Sequence, residues 1–307
     1  MTRRRTAVAT TSQTGPEDEL ILLREAKLVD VLGPGLIARL GTRRLEASGV
    51  LACTQGLWVV FDNMPHLVRV DAGLPTPDPD AVLVRHPAEH AGFEDLAHDP
   101  VTGRFYAVIE AERRAGDAWM ARVWEFDAQL HPLRSRWLDR PLPTGNKGIE
   151  GLSHVRRDGV EYLLALSEGN HSASGRIGRE GGGGRVHVFA VRDDTSWQQI
   201  DTVRLPASLD AADYSGLSVH DDRVAVLSQT SSLLWTGYLN PRSWDIMDDG
   251  SAYRLPRDRR GRPVYGTAEG VSWLTTDTVA IVSDRARRNQ PARFRAKDQS
   301  IHLFRLP

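Results

Sequence analysis

Cysteine is nearly absent: Cys53 stands alone in 307 residues. An internal disulfide is impossible, and no cysteine-based metal cluster can be built. A disulfide scaffold and a zinc finger are both excluded. Long apolar runs are missing too, and no stretch approaches the roughly eighteen residues a transmembrane helix needs. Neither sign of charge is in excess, since 39 Lys and Arg meet 40 Asp and Glu for a net charge of −1. The chain lacks the global basic field of a general nucleic-acid binder, so neither nucleic acid nor a membrane is expected as a partner. Residues 1–19, MTRRRTAVATTSQTGPEDE, have no apolar core of the kind a secretory signal carries. Ser, Thr and charge dominate there, which predicts a disordered arm. Residues 20–307 are expected to form one domain, with the cytoplasm as the default location.

Helical periodicity is scarce, and strand signatures take its place. Short runs rich in Val, Leu, Trp, Tyr and Phe recur at 57–61, 104–109, 161–166, 223–227 and 278–282. Each is bounded by Gly, Asp, Asn or Pro, the mark of strands joined by turns. The residues upstream form a repeat. They read Ala47-Ser48-Gly49-Val50, Phe93-Glu94-Asp95-Leu96, Ile149-Glu150-Gly151-Leu152, Tyr214-Ser215-Gly216-Leu217 and Ala268-Glu269-Gly270-Val271. Each second strand is followed or closed by a polar residue: Asp62, Glu110, Glu168, Gln229 and Asp284. The units are spaced about 46 to 65 residues apart, which suits four-stranded propeller blades. The fold expected is all-β, a five-bladed β-propeller. The fifth unit has no room for its fourth strand before Pro307. Residues 26–32, AKLVDVL, are expected to supply it from the N-terminal side, closing the ring and removing an exposed edge. Two β-sandwich domains are the weaker alternative, because no linker divides the chain.

The first strand of a propeller blade lines the central channel. Ser48, Glu94, Glu150, Ser215 and Glu269 should therefore form a ring around the axis. Carboxylates at close range repel one another and stay ionised only beside a cation. Oxygen donors without imidazole or thiolate suit Ca²⁺, whereas zinc favours His or Cys. Protonated glutamates bonded to channel waters and backbone amides are the alternative.

The order Ser-Glu-Glu-Ser-Glu, one residue per blade, resembles the calcium-activated nucleotidases (apyrases). That family consists of five-bladed propellers with a central calcium held by such a ring. The stretch LEASGVLACTQGLWVVFDN (residues 45–63) is similar to the first-blade motif, and Asp62 matches an acidic residue near the active site. Tyr214-Ser215-Gly216 and Ala268-Glu269-Gly270-Val271 resemble the fourth- and fifth-blade motifs. The second blade reads Phe93-Glu94-Asp95 where the family has Ala-Glu-Trp. The third reads Ile149-Glu150-Gly151 where it has His-Glu-Ser. Residues 148–170 also resemble the broader phytase-like and SdiA-regulated-like propellers. The resemblance implies a calcium-dependent hydrolase acting on a phosphate-bearing small molecule at the channel mouth.

In this topology Asp62, Asn63, Glu110, Glu112, Glu168, Asn170, His171, Gln229, Ser231, Asp284 and Arg285 should gather around that mouth. Asp62, Glu110 and Glu168 are the candidate bases. Lys147, Asn170 and Arg285 are the candidate substrate contacts, with Arg287 and Arg288 nearby. Residues 175–185, GRIGREGGGGR, lack the Gly-Lys-Ser/Thr end of a phosphate loop. A long hairpin that covers the mouth is expected there. Ser153, Ser218 and Ser272 follow the ring positions by three and read as repeat-consensus strand residues. His86, His90 and His98 read as surface or turn residues rather than a metal site. A binding propeller with a structural calcium is the competing function. A lactonase, lyase or esterase is a third possibility, although the Asn and His ligands usual in such propellers are missing from the ring.

Overall fold

β-branched and aromatic runs closed by turn residues favour antiparallel pairing with their sequence neighbours. The computed structural model describes residues 18–86, 92–114, 116, 118–145 and 147–307. In chain order, β1 (Ile21–Lys27) leads into α1 (Leu28–Leu40). β2 (Ala47–Cys53), β3 (Gly56–Phe61), β4 (His66–Val70) and β5 (Val82–Arg85) form the first antiparallel sheet. β6 (Asp95–Asp99), β7 (Arg104–Arg113), β8 (Trp119–Phe126) and β9 (Pro132–Leu142) form the second. The third is β10 (Ile149–Arg157), β11 (Val160–Ser167), β12 (Arg185–Val191) and β13 (Ser196–Arg204). The fourth is β14 (Gly216–His220), β15 (Arg223–Ser228), β16 (Leu233–Tyr238) and β17 (Ser251–Arg254). The last comprises β18 (Ala268–Trp273), β19 (Thr278–Ser283), β20 (Ser300–Arg305) and, at its edge, β1. The inner strands β2, β6, β10, β14 and β18 touch one another in a closed ring. The architecture is a β-propeller.

An N-terminal strand does close the ring, but it is not residues 26–32. The pairing strand is Ile21–Lys27, set against β20 with Ile21 opposite Arg305 and Lys27 opposite Ser300. From Leu28 onward the chain is helical, and Leu28, Val31, Leu32 and Ile37 are buried. That spacing is the helical one. The short apolar cluster fits both periods, and packing against Leu57, Val68 and Ile301 makes it a helix face. β1 is the outermost strand of its sheet and largely exposed. It therefore has no need of the apolar alternation that would have marked it in the sequence. Glu19, the last residue of the expected arm, bridges to Arg254, and residues 1–17 lie outside the described residues.

A second departure joins two blades. β13 pairs in parallel with β9, Ser196–Gln198 against Trp137–Asp139, so the second and third sheets merge into one of eight strands. Trp197 sits fully buried at that seam, with the Arg136 guanidinium 5.7 Å from its ring centre. No helix among the described residues is long and apolar enough to cross a membrane.

The repeat's small residue sets how closely adjacent inner strands approach. A methyl group on Gly49 would lie 2.7 Å from the Asp95 Cα, and on Gly270 2.7 Å from the Gly49 Cα. On Gly216 it would lie 2.4 Å from the Glu269 carbonyl oxygen. The exception is Asp95, whose buried carboxylate crosses to the next unit and accepts the Leu152 N–H at 2.8 Å. Ser153, Ser218 and Ser272 do similar work three positions beyond the ring. Their hydroxyl oxygens accept the N–H groups of Val219 (2.8 Å), Trp273 (3.1 Å) and Ala52 (2.9 Å) in the following unit. Glycine is required at 216 by backbone contact, so Gly216→Ala should destabilise by about 1–3 kcal/mol through overpacking. Gly35→Ala in α1, where a methyl meets nothing within 4 Å, should hold the melting temperature or raise it slightly, since alanine is the better helix former. Equal melting temperatures for the two variants would contradict this account of inner-strand packing.

Candidate metal centre

Each ring residue occupies a bulge. Ser48, Glu150 and the Glu269-Gly270 pair lie at register shifts between inner and second strands. In the other two units, two residues face one. Glu94 N–H donates to the Val108 carbonyl at 2.9 Å while Asp95 pairs with Val108. Ser215 N–H donates to the Leu227 carbonyl at 2.9 Å while Gly216 pairs with Leu227. A bulge re-aims the side chain it carries. Antiparallel pairing also places the start of each inner strand beside the end of the second. Repetition of this one local device brings distant positions in the chain onto one cavity.

That cavity has a volume of about 670 Å³. Glu94, Glu150, Ser215 and Glu269 reach it from the ring, and Asp62, Glu110, Glu168, Gln229 and Asp284 from the second-strand ends. With Asp213, eight carboxylates among the described residues line it against three cationic side chains, Lys147, Arg179 and Arg287. The carboxylates of Glu110, Glu150 and Glu168 offer oxygens that all lie within 4.8 Å of one another. Glu110 Oε1 accepts the Gly148 N–H at 3.0 Å, and Glu269 Oε1 accepts from Gln229 Nε2 at 2.7 Å. Lys147 and Glu168 form an ion pair. Neither imidazole nor thiolate belongs to the described lining.

Removal from water and mutual repulsion favour the neutral forms of the ring carboxyls and their neighbours when no cation is bound. Burial, then Glu110 and Asp62, pushes Glu94 well above the usual range. Burial and Glu94 do the same to Glu150, and burial with Asp284 to Glu269. Asp284 is raised to about 7 by burial and by Asp62. Asp62, which keeps an edge in solvent, rises to about 6 through desolvation and the nearby Glu46. An all-oxygen, cation-poor group of this kind fits a hard divalent ion.

Several expected site residues stand elsewhere. Ser48 is buried and lies outside the cavity lining, and its hydroxyl donates to the Phe93 carbonyl in the next unit. Ser215 lines the cavity, but its hydroxyl likewise donates across the seam, to the Ala268 carbonyl at 3.2 Å. Asn170 is not a substrate contact in this arrangement. It is fully buried and all four of its amide hydrogen-bonding positions are used. Nδ2 donates to the Ala211 and Gly178 carbonyls, and Oδ1 accepts from Gly183 N–H and the Tyr214 hydroxyl. It pins the glycine-rich segment, whose Ala173, Ser174 and Arg179 form part of the cavity wall. Arg285 is exposed and off the wall, and Arg287 takes the position expected for it. His86 is not a surface residue, because it is buried edge-on against Trp124 (4.4 Å) and Phe93 (5.3 Å). His90 lies outside the described residues. Asp213 was not foreseen. It accepts from the Ser228 hydroxyl at 2.7 Å, a tertiary contact with no local signature.

No protein-family model matches the chain, and no curated protein matches it in sequence. Among solved structures, the glutaminyl cyclase of Myxococcus xanthus is similar over 93% of this chain and 95% of its own, at 10% identity and a TM-score of 0.57. The PQQ-bound aldose sugar dehydrogenase of Streptomyces coelicolor matches 92% and 98% of the two chains at 13% identity and a TM-score of 0.47. The β-propeller domain of Myceliophteria thermophila Cps50 (Swd1) matches 85% and 84% at 10% identity and a TM-score of 0.38. The first of these supports the fold, and the likeness to the calcium-activated nucleotidases rests on the motifs alone.

The raised carboxyls set a pH dependence. Asp62 and Asp284 bind protons more tightly in the folded chain than at the ordinary aspartate value of 3.8. Their contribution is complete below that value and is lost as pH rises through about 6 and about 7. In EDTA the melting temperature should therefore fall by several degrees between pH 5.5 and 8. Excess Ca²⁺ should flatten the profile. A melting temperature that rises over this range in EDTA would contradict the protonated-cluster account.

Proposed function

We propose that the chain is a calcium-dependent hydrolase of a phosphate-bearing small molecule. The observation that carries this reading is the gathering of eight carboxylates and three cations on one cavity. Glu94, Glu150 and Glu269, with Glu110, are the residues that would hold the ion, and Ser48 and Ser215 close the ring behind them. When bound, calcium would offset the carboxylate repulsion and polarise a phosphoryl oxygen.

The chain's own residues have separable tasks. Arg287 and Arg179 face the cavity as partners for phosphate oxygens. Lys147 joins them once its ion pair with Glu168 opens. Asp62, held at about 6, is suited to take a proton from an attacking water near neutral pH. The new P–O bond forms from that water, the scissile bond breaks, and the leaving oxygen is protonated from solvent. Glu168 is a second base in the same cavity, available when Lys147 moves to the phosphate.

A propeller that binds without hydrolysing is the second reading. The Lys147–Glu168 ion pair favours it, because it occupies a candidate base and a candidate phosphate contact at once. Phosphate release from a panel of nucleotides and sugar phosphates, with and without Ca²⁺, separates the two. The hydrolase reading predicts calcium-dependent release that Asp62→Asn lowers by about 10²-fold or more, the usual scale of a general base. The variant should melt with the parent. Release by neither protein from any member of the panel, with Ca²⁺ shown to be bound, would leave the binding reading.

A further inference from the structure

A second polar cluster lies far from the cavity. His154 follows Glu150 by four positions on β10, about 13 Å at strand rise. The His154 side chain is 2% exposed, and its Nε2 has no hydrogen-bond partner among the described residues. It points at two carboxylates. Asp99 Oδ2 and Glu161 Oε2 each lie 3.9 Å from it, too far for hydrogen bonds. The three donor atoms all fall within 4.8 Å of one another.

The surroundings hold this group in place. Tyr106 stacks on the imidazole, with ring centres 5.5 Å apart and planes 5° from parallel. Its hydroxyl donates to Glu161 Oε2 at 2.9 Å. Arg156 and Thr102 donate to Asp99 Oδ2 at 2.6 and 2.7 Å, and Val101 N–H donates to Oδ1 at 3.0 Å. Such hydrogen bonds to carboxylates are what orients ligands around a metal. Arg156 offsets one of the two carboxylates, so a dication would meet a single net negative charge.

We propose that Asp99, His154 and Glu161 form a second cation site, for a borderline divalent ion such as Zn²⁺. One imidazole with two carboxylates is a donor set that zinc accepts and calcium does not prefer. Tetrahedral donors about 2.0–2.2 Å from a shared ion stand about 3.3–3.6 Å apart, so each carboxylate oxygen would close on His154 Nε2 by roughly half an ångström when the ion binds. Asp99 ends the inner strand of the second unit, whereas His154 and Glu161 belong to the third. The ion would clamp the two units that β9 and β13 already join on the outside. The inference is independent of what the axial cavity binds.

The test uses the full chain, stripped with EDTA and then held in excess Ca²⁺ while Zn²⁺ is titrated by calorimetry. Co²⁺ is the spectroscopic probe, reporting its ligands through visible absorption. One equivalent of Zn²⁺ should bind despite the calcium. His154→Phe, which keeps a ring against Tyr106, should weaken that uptake by tenfold or more and remove the Co²⁺ signal. Calcium binding should be unchanged. Glu161→Gln, at the partly exposed edge of the group, should do the same and serves if His154→Phe does not fold. Absence of zinc uptake by the parent chain, or parental zinc affinity in a folded variant of either kind, would overturn the assignment.

Discussion

Carboxylates crowded around the propeller axis are the constraint on which the rest of this structure depends. Glu94, Glu150 and Glu269 come from three inner strands and face Asp62, Glu110, Glu168 and Asp284 across one cavity. Like charges at such range cannot all ionise unless something neutralises them. The chain has two ways out: it can bind protons, which raises every one of these carboxyls, or it can bind a cation. The three basic side chains among the described residues on the same walls are too few to balance the charge. Without a counter-ion the ring would raise the energy of the closed fold.

The backbone carries that arrangement by repeating one local device. A bulge at the start of each inner strand turns a side chain toward the axis. The next position is glycine in four units, which lets the neighbouring strand approach, and Asp95 in the other. Two residues beyond the glycines, the hydroxyls of Ser153, Ser218 and Ser272 bind amides of the following blade, and the Asp95 carboxylate does the same from the glycine position itself. Function and closure are thus coupled. The residues that aim the carboxylates sit beside those that hold adjacent blades together.

Much of this was legible in the sequence because it repeats. Ser48, Glu94, Glu150, Ser215 and Glu269 could be aligned from their neighbours alone, and so could the polar residues at the ends of the second strands. What was not legible depends on contacts without a local pattern. Residues 28–32 carry apolar spacing compatible with either period, and only packing on the first and last sheets makes them helical. The edge strand Ile21–Lys27 is too exposed to show alternation. Asn170 looked like a loop amide at the mouth, and its burial follows from how residues 170–184 fold back on Tyr214. The exchange of Arg285 for Arg287 is a matter of loop direction, which composition does not encode.

A crystal of the protein grown with calcium and measured at a wavelength where calcium scatters anomalously tests the central claim most directly. The account predicts a single strong anomalous peak in the axial cavity, among the oxygens of Glu94, Glu150 and Glu269, with Glu110 at its edge. An axial cavity without an anomalous peak at saturating calcium, the glutamates still facing one another, would contradict it.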